Sequence, residues 1–144
     1  MHATKPDPPM QWTHEQFFLT TDLDRFDFAF VTRALHTTYW ASDRPRPIVE
    51  KSFRNAIGFG LFDGAAQIGF ARIVTDHLTF SWLCDVYVDP AYRGRGLATW
   101  MIECILSHPG IAPTRAILRT KDAHKLYEKF GFQREEFMRR MPTQ

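Results

Sequence analysis

The stretch of sequence best suited to chemistry is a short basic loop, Arg93-Gly94-Arg95-Gly96, which follows an apolar strand pattern and precedes a helical one. At the start of a helix the first backbone N–H groups have no intrahelical partner, and the helix dipole favours negative charge there. Gly94 and Gly96 allow the backbone to approach a ligand closely, and Arg93 and Arg95 add positive charge. The loop is therefore a candidate anion-binding site.

Two common phosphate-binding motifs do not match this loop. A P-loop requires Lys-Ser or Lys-Thr directly after its second glycine, but Gly96 is followed here by Leu97 and Ala98. A dinucleotide-binding fingerprint requires a third small residue three positions after Gly96, and that position is Thr99. On local chemistry alone, the remaining interpretations are a site for a different anion and a surface turn with two solvated arginines.

The composition of the 144-residue chain is typical of one soluble domain with a sizeable core, so we expect a single domain over residues 1–144. Hydrophobic residues make up 44% and charged residues 24%, and an aromatic content of 15% indicates a well-buried core or an aromatic-lined pocket. The net charge of +2, without a long basic run, argues against a nucleic-acid partner.

We expect a cytoplasmic protein with no membrane partner. No apolar run approaches the length of about 18 residues that a membrane span needs, and residues 1–9 lack the apolar core of a signal peptide. Cys84 and Cys104 both lie in apolar segments, which predicts two buried thiols in a reducing compartment rather than a disulfide framework or a metal site.

Hydrophobic periodicity and turn residues predict alternating strands and helices after a flexible extension at residues 1–15. The predicted elements, in chain order, are a strand at 16–20, helices at 23–39 and 47–55, strands at 57–62, 67–74 and 78–88, a helix at 97–107, a strand at 116–118, a helix at 123–130 that Asp122 caps, and a strand at 132–138. A helix joins the strands at 78–88 and 116–118, so we expect them to be parallel. This order predicts the α/β class, as an α+β mixed sheet with helices on both faces.

The predicted strand at 78–88 carries polar side chains on one of its faces. Strict alternation puts Cys84, Val86 and Val88 together on an apolar face. Asp85 and Tyr87 then share the opposite face. A carboxylate and a phenol among apolar neighbours indicate a pocket or a covering element on that side.

The basic loop also resembles a motif of a known family. Arg93-x-x-Gly96-x-Ala98, directly after a strand, is similar to Arg/Gln-x-x-Gly-x-Gly/Ala, the phosphate-binding motif of the GNAT superfamily of N-acetyltransferases. In that family the loop holds the pyrophosphate of acetyl-coenzyme A (acetyl-CoA).

A second motif supports the same family. Residues 122–132 resemble the signature small-x-x-Leu-Tyr-x-x-x-Gly-Phe, with Leu126-Tyr127 and Gly131-Phe132 at the matching positions. The predicted element order is similar to the GNAT fold, a mixed, mostly antiparallel sheet with helices on both faces. More narrowly, the chain resembles a group of small single-domain bacterial members of the family, through Tyr39-Trp40, Gly69-Phe70-Ala71-Arg72, Thr75-Asp76 and Asp122-Ala123-His124.

The resemblance implies a cofactor site for acetyl-CoA and no metal. In GNAT enzymes the strand before the loop separates from its neighbour, and the pantetheine arm of the cofactor lies there like an additional strand. The matching backbone groups are those of Val86, Tyr87 and Val88. The residues matching the pyrophosphate site are Arg93, Gly94, Arg95, Gly96, Leu97, Ala98 and Thr99. A backbone N–H between Asp85 and Tyr87 would polarise the thioester carbonyl.

The resemblance also suggests two catalytic residues. Tyr127 matches the position whose phenol protonates the departing thiolate of coenzyme A, although periodicity alone places it in an apolar helix stripe with Leu126 and Phe130. Asp85 is the candidate general base for the attacking amine, because it lies on the polar face of the cofactor strand. The alternative for Asp85 is a carboxylate that caps or anchors a helix.

The acceptor site is expected at the loop between the first two helices, which covers the open end of the cofactor cleft in this family. The candidate residues there are Tyr39, Trp40, Arg44 and Arg46. Two aromatic rings beside two arginines suit an acceptor with an apolar part and a carboxylate, although loop aromatics often only pack a helix junction.

The implied function is an acetyl-CoA-dependent N-acetyltransferase, which transfers an acetyl group to a primary amine of a small molecule by direct attack in a ternary complex. The alternative is a non-catalytic acyl-CoA-binding module or sensor. The final strand would expose a sheet edge, through which a homodimer could form.

Overall fold

The computed structural model describes residues 8–143, and its framework is a six-stranded sheet in which the strands lie side by side in chain order. The strands are β1 (Gln11–His14), β2 (Phe17–Thr20), β3 (Ile57–Asp63), β4 (Ala66–Thr75), β5 (Phe80–Val88) and β6 (Arg115–Leu118). Neighbours from β1 to β5 pair antiparallel, whereas β6 pairs parallel with β5. The predicted mixed, mostly antiparallel sheet is confirmed.

Four α-helices cover the two faces of this sheet. They are α1 (Phe28–His36), α2 (Arg46–Arg54), α3 (Leu97–Ser107) and α4 (His124–Glu128). Buried side chains of α1 and α2 form one core cluster, and those of α3 and α4 belong to a second. None of the helices within residues 8–143 combines the length and hydropathy needed to cross a membrane.

Strand β4 shows how the sheet separates the two cores. Successive side chains of a strand point to opposite faces. Phe70 accordingly belongs to the core beneath α1 and α2, whereas Ala71 and Ile73 belong to the core beneath α3. All three side chains are fully buried.

The first helical region and the N-terminal segment differ from prediction. The predicted helix at 23–39 is a 3-10 turn followed by α1, because the Asp27 side chain accepts the N–H of Phe30 and starts a new helix. The predicted flexible extension at 1–15 is wrong for Gln11–His14, which form β1. Trp12 of this strand packs against Phe59, with ring centroids 5.9 Å apart. Residues 1–7 lie outside the described residues.

The predicted C-terminal strand is wrong. Residues 132–143 contain no strand, which leaves β6 as the sheet edge on this side. The segment lacks the alternation of a half-buried strand, since charged residues 134–136 separate its apolar side chains. Phe137 packs instead against Trp82, with the ring centroids 6.3 Å apart.

Helix α4 is shorter than predicted, and Asp122 does not cap it. The helix starts after Ala123 without a side-chain cap, and Thr120 Oγ1 accepts the N–H of Ala123 instead. Gly131 adopts a φ of +87° after the helix, as expected of a helix-terminating glycine.

Candidate active site

The most unusual feature of the sheet is the open edge of β5. Strand β6 pairs with β5 only from Phe80 opposite Arg115 to Leu83 opposite Leu118. Strand β5 continues to Val88, so its edge at residues 84–88 has no strand partner on this side among residues 8–143. This open edge contains Val86, Tyr87 and Val88, the three residues that the family resemblance matches to the pantetheine site.

On its other side, β5 contains a β-bulge. Phe70 lies opposite Tyr87 and Arg72 lies opposite Cys84, so that two residues of β5 face Ala71 alone. One of these two, Asp85, has a φ of +52°, a left-handed conformation that aspartate tolerates better than most residues.

The bulge corrects the predicted alternation of β5. One extra residue shifts the phase of a strand, so side chains after the bulge exchange faces. Val86 and Val88 consequently lie with Leu83 in the core beneath α3. Strict alternation predicted them on the opposite face from Leu83. Tyr87 lies on the other face and stacks on Phe70, with ring centroids 5.3 Å apart.

The carboxylate of Asp85 is the centre of a buried polar network. Its Oδ1 accepts the Trp40 indole N–H at 2.8 Å, and its Oδ2 accepts N–H groups of Arg44 at 2.9 Å and of Arg72 at 2.8 Å. The Asp85 side chain is only 1% exposed. Three N–H donors, two of them from arginines, thus converge on the two oxygens of one buried carboxylate. The geometry therefore favours an anchoring role, and the general-base role stays a prediction.

A cavity of about 340 Å³ lies between this network and α4. Tyr39, Trp40 and Arg44 line it from the α1–α2 loop, and Tyr127 lines it from α4. Three of the four acceptor candidates thus line one cavity, and their role in acceptor binding stays a prediction. A larger cavity of about 700 Å³ lies outside β6, and Tyr127 lines this one as well.

Arg46 lies outside the 340 Å³ cavity, whereas Arg72, which the sequence analysis did not select as a site residue, lines it. Arg46 forms an exposed ion pair with Glu50 one turn along α2, at 2.8 Å, and does not line the 340 Å³ cavity. Arg72 does line it. A signal was present in the sequence, because an arginine inside the apolar run of β4 needs a buried partner.

Tyr127 packs in the core and also lines the 340 Å³ cavity, and its role as a general acid stays a prediction. Its side chain is 8% exposed and packs edge-on against Phe132, with ring centroids 5.7 Å apart. Burial raises the pKa of the Tyr127 phenol to about 12, so the group is protonated at neutral pH. No residue within 8–143 hydrogen bonds to its hydroxyl. The phenol is therefore available to a ligand in the cavity.

The glycine loop presents open backbone to solvent. Gly94 and Gly96 have φ values of +81° and +76°, and a Cβ at either position would meet no atom within 4 Å. Gly96 is the N-cap of α3, and no side chain caps the helix. The first N–H groups of α3 therefore remain free for an anion.

Two arginines shape this loop. Arg93 donates from Nε to the Val88 carbonyl at 2.9 Å, and its guanidinium lies 5.5 Å from the centroid of the Tyr87 ring. The Arg95 guanidinium lies 5.1 Å from the centroid of the Tyr92 ring. Open backbone, positive charge and an uncapped helix start together fit the phosphates of a nucleotide-containing cofactor.

Both cysteine thiols are expected to be unreactive in the folded protein. Burial raises the pKa of Cys84 and of Cys104 to about 11. At about pH 8 each would be a thiolate roughly 10⁻³ of the time, so we expect iodoacetamide to label native protein far more slowly than protein unfolded in guanidinium. Mass spectrometry over time measures both rates. Similar rates in the two states would contradict the raised pKa values of these thiols, of which Cys104 is buried and Cys84 half-buried.

Comparisons with known proteins agree with this geometry. Residues 54–134, more than half of the chain, match a family model described as an acetyltransferase (GNAT) domain. A candidate acetyltransferase of Gibberella zeae is 28% identical over 145 positions, which cover 84% of this chain and 81% of that protein.

Solved structures show the same fold. The crystal structure of a candidate GNAT acetyltransferase from Xanthomonas campestris is 33% identical, covers 88% of this chain and 93% of its own, and has a TM-score of 0.84. A candidate acetyltransferase of Clostridium acetobutylicum, solved with acetyl-CoA, is 14% identical with a TM-score of 0.63, covers 94% of this chain and 95% of its own, and shows the fold alone. The matched domain, the shared fold and the 33% identity together establish that this chain belongs to the GNAT family of acetyltransferases.

Proposed function

We propose that this protein is an N-acetyltransferase that uses acetyl-CoA and acetylates a primary amine of a small molecule. The observation that carries the proposal is the open edge of β5 at residues 84–88, which lies between the glycine loop and Tyr127. An extended ligand along this edge would have its anionic end at the loop and its reactive end beside the phenol. The acetyl-CoA in the Clostridium structure supports the identity of that ligand.

The residues of the chain fit the parts of this cofactor. Free N–H groups at the start of α3, with Arg93 and Arg95, suit the pyrophosphate. Backbone groups at 86–88 suit the amides of the pantetheine arm. When bound, acetyl-CoA supplies an acetyl group activated as a thioester.

The groups around the 340 Å³ cavity suit direct transfer to an amine. Tyr127 Oη holds a proton at neutral pH and can donate it to a departing thiolate, because burial raises its pKa to about 12. Cys84 lines the same cavity, but its raised pKa of about 11 makes it a poor nucleophile. This favours attack by the amine itself over a covalent enzyme intermediate.

Gly96→Ala tests the cofactor loop. A Cβ at the φ of +76° strains the loop and projects into its open face. We expect the variant to bind acetyl-CoA about tenfold more weakly, because loss of one charge-assisted hydrogen bond costs about 1.5 kcal/mol or more. Isothermal titration calorimetry with acetyl-CoA measures the change.

Gly64→Ala is the matched control. Gly64 has a similar φ of +59° and no atom within 4 Å of an added Cβ, but it lies in the β3–β4 hairpin away from the loop. The two variants should lose similar free energy of unfolding, because the backbone strain is similar. Gly64→Ala should keep the affinity for acetyl-CoA. Equal affinities of both variants, or no binding by the unmodified protein, would refute the cofactor site.

Turnover separates the enzyme from the alternative, a non-catalytic acyl-CoA-binding module. A panel of small amines with acetyl-CoA, followed by detection of free thiol, measures transfer. Amine-dependent thiol release supports the enzyme. Tight binding of acetyl-CoA without release by any amine would favour the module.

A further inference from the structure

The acceptor side of the 340 Å³ cavity contains more positive charge than its buried carboxylate neutralises. Arg44 and Arg72 both donate to the same oxygen, Oδ2 of Asp85, and neither forms an ion pair with another acid among residues 8–143. Arg119 and Asp122, of opposite charge, also line the cavity and offset each other. The buried network is therefore left with one uncompensated positive charge.

The two guanidinium groups also have donors to spare. Arginine carries five N–H donors, yet Arg44 contributes only Nη1 and Arg72 only Nε to the contact with Asp85. Their side chains are 23% and 16% exposed. Among the described residues, Thr32 Oγ1 is the one fully enclosed side-chain nitrogen or oxygen that lacks a hydrogen-bond partner. The unpaired guanidinium nitrogens of Arg44 and Arg72 are therefore not fully enclosed, and a ligand can reach them.

Asp85 fixes the orientation of these donors. Its side chain is 1% exposed and connects Arg44 of the α1–α2 loop with Arg72 of β4. Guanidinium groups held in this way lose little conformational entropy when they bind an anion. Their planar donor edges match a carboxylate, which accepts two parallel N–H bonds.

Rigid aromatic surface lies beside the arginines. Tyr39 and Trp40 pack edge to face with ring centroids 5.0 Å apart, and they are 55% and 41% exposed. The Trp40 indole is held by Asp85, and the Tyr39 hydroxyl accepts the backbone N–H of Lys121 at 3.2 Å. Exposed rings held by hydrogen bonds offer an apolar contact for a ligand at the mouth of the cavity.

We propose that the acceptor amine carries a carboxylate, which binds the free N–H groups of Arg44 and Arg72, and an apolar group that packs against Tyr39 and Trp40. Asp85 is then a positioning residue for both arginines. This assignment of the acceptor rests on the proposed acetyltransferase function. It places the carboxylate on Arg44 and Arg72, in place of the pair Arg44 and Arg46 expected from the sequence.

Matched acceptors test the proposal. Amines with a carboxylate one to a few carbons from the nitrogen, such as L-phenylalanine and 4-aminobutyrate, are compared with their carboxamides at saturating acetyl-CoA. We expect kcat/KM for the best carboxylate to exceed that of its amide by about tenfold or more, the effect of a charge-assisted hydrogen bond. An α-amino amide has a lower amine pKa than the corresponding acid, so more of it is present as the reactive free amine. This difference raises kcat/KM for the amide, so a preference for the carboxylate is a stringent result.

Variants of the arginines identify the residues that recognise the carboxylate. Arg72→Met should remove the preference for carboxylates mainly by raising KM, and it leaves Asp85 paired with Arg44 so that the fold persists. Arg72→Lys, which keeps the charge without the planar fork, should retain part of the preference. Arg33→Met, an exposed charge change on α1, should leave it unaltered.

The outcomes separate the two proposals. Equal use of acids and amides, or equal losses on both in Arg72→Met, would overturn the carboxylate site while leaving the acetyltransferase in place. Better use of aminoalkyl phosphates would overturn the carboxylate assignment. If no amine is acetylated, the proposed function fails. Calorimetry with N-acetyl-L-phenylalanine and its amide then tests anion binding directly: carboxylate binding lost in Arg72→Met supports the site, and no binding overturns it.

Discussion

Tyr127→Phe is expected to lower kcat by about 10²- to 10⁴-fold, the usual contribution of a positioned general acid, without weakening acetyl-CoA binding. The variant removes one oxygen and keeps the ring that packs against Phe132. Because no described residue hydrogen bonds to this hydroxyl, we expect the free energy of unfolding to change by less than about 0.5 kcal/mol. Steady-state kinetics, calorimetry and urea denaturation measure the three quantities.

Tyr92→Phe is the control for loss of a phenol. The Tyr92 hydroxyl donates to the Asp63 carboxylate at 2.8 Å, outside the 340 Å³ cavity. Its removal should lower the free energy of unfolding, because this hydrogen bond is lost, and should preserve kcat. If Tyr127→Phe kept kcat as well, Tyr127 would be a packing residue only.

The pH dependence of the same variant pair provides an independent test. Burial raises the pKa of Tyr127 from 10.0 to about 12. The phenol thus stays protonated in the folded enzyme, and we expect no loss of rate from its ionisation up to about pH 10. Above that pH the unfolded chain releases the proton and the folded chain retains it, so the contribution of Tyr127 to stability falls as pH rises from 10.0 to about 12. A descending limb of the rate profile near neutral pH that disappears in Tyr127→Phe would contradict this assignment.

Local sequence was sufficient to predict the elements on the glycine-loop side of the candidate site. The glycines of the loop, the start of α3 and the stripe containing Tyr127 depend on residues within a few positions of one another. Strand β6 was also predictable, because a helix between two strands implies a parallel connection. The structure contains these elements at nearly the predicted residues.

The acceptor side depends on contacts that no local pattern encodes. The bulge at Asp85 shifts the alternation of β5, and it is visible only through the register of the neighbouring strand. Arg72 and Asp85 are separated by 13 residues, and Arg44 and Asp85 by 41. Strand β1 likewise requires β2 beside it and Phe59 beneath Trp12. Such partners become recognisable only when the strands are paired.

Asp85→Ala is expected to lower the free energy of unfolding by about 3–5 kcal/mol, because it leaves two part-buried guanidinium groups without their only carboxylate partner among residues 8–143. Asp85→Asn should cost less, since its amide oxygen still accepts a hydrogen bond and asparagine tolerates the positive φ. Urea denaturation measures both. Glu50→Ala is the control: it breaks the exposed pair with Arg46 and should cost no more than about 0.5 kcal/mol.

The same variants decide between the two roles considered for Asp85. An anchoring carboxylate predicts that Asp85→Asn loses stability and raises the KM of the acceptor, because an NH2 group replaces one of the two oxygens that Arg44, Arg72 and Trp40 share. A general base predicts instead that kcat falls while stability and KM are retained. Adding Arg72→Met to Asp85→Ala should then restore part of the lost stability, since the second change removes one of the unpaired charges. A double variant whose losses simply add would contradict the buried network and leave the base as the remaining role for Asp85.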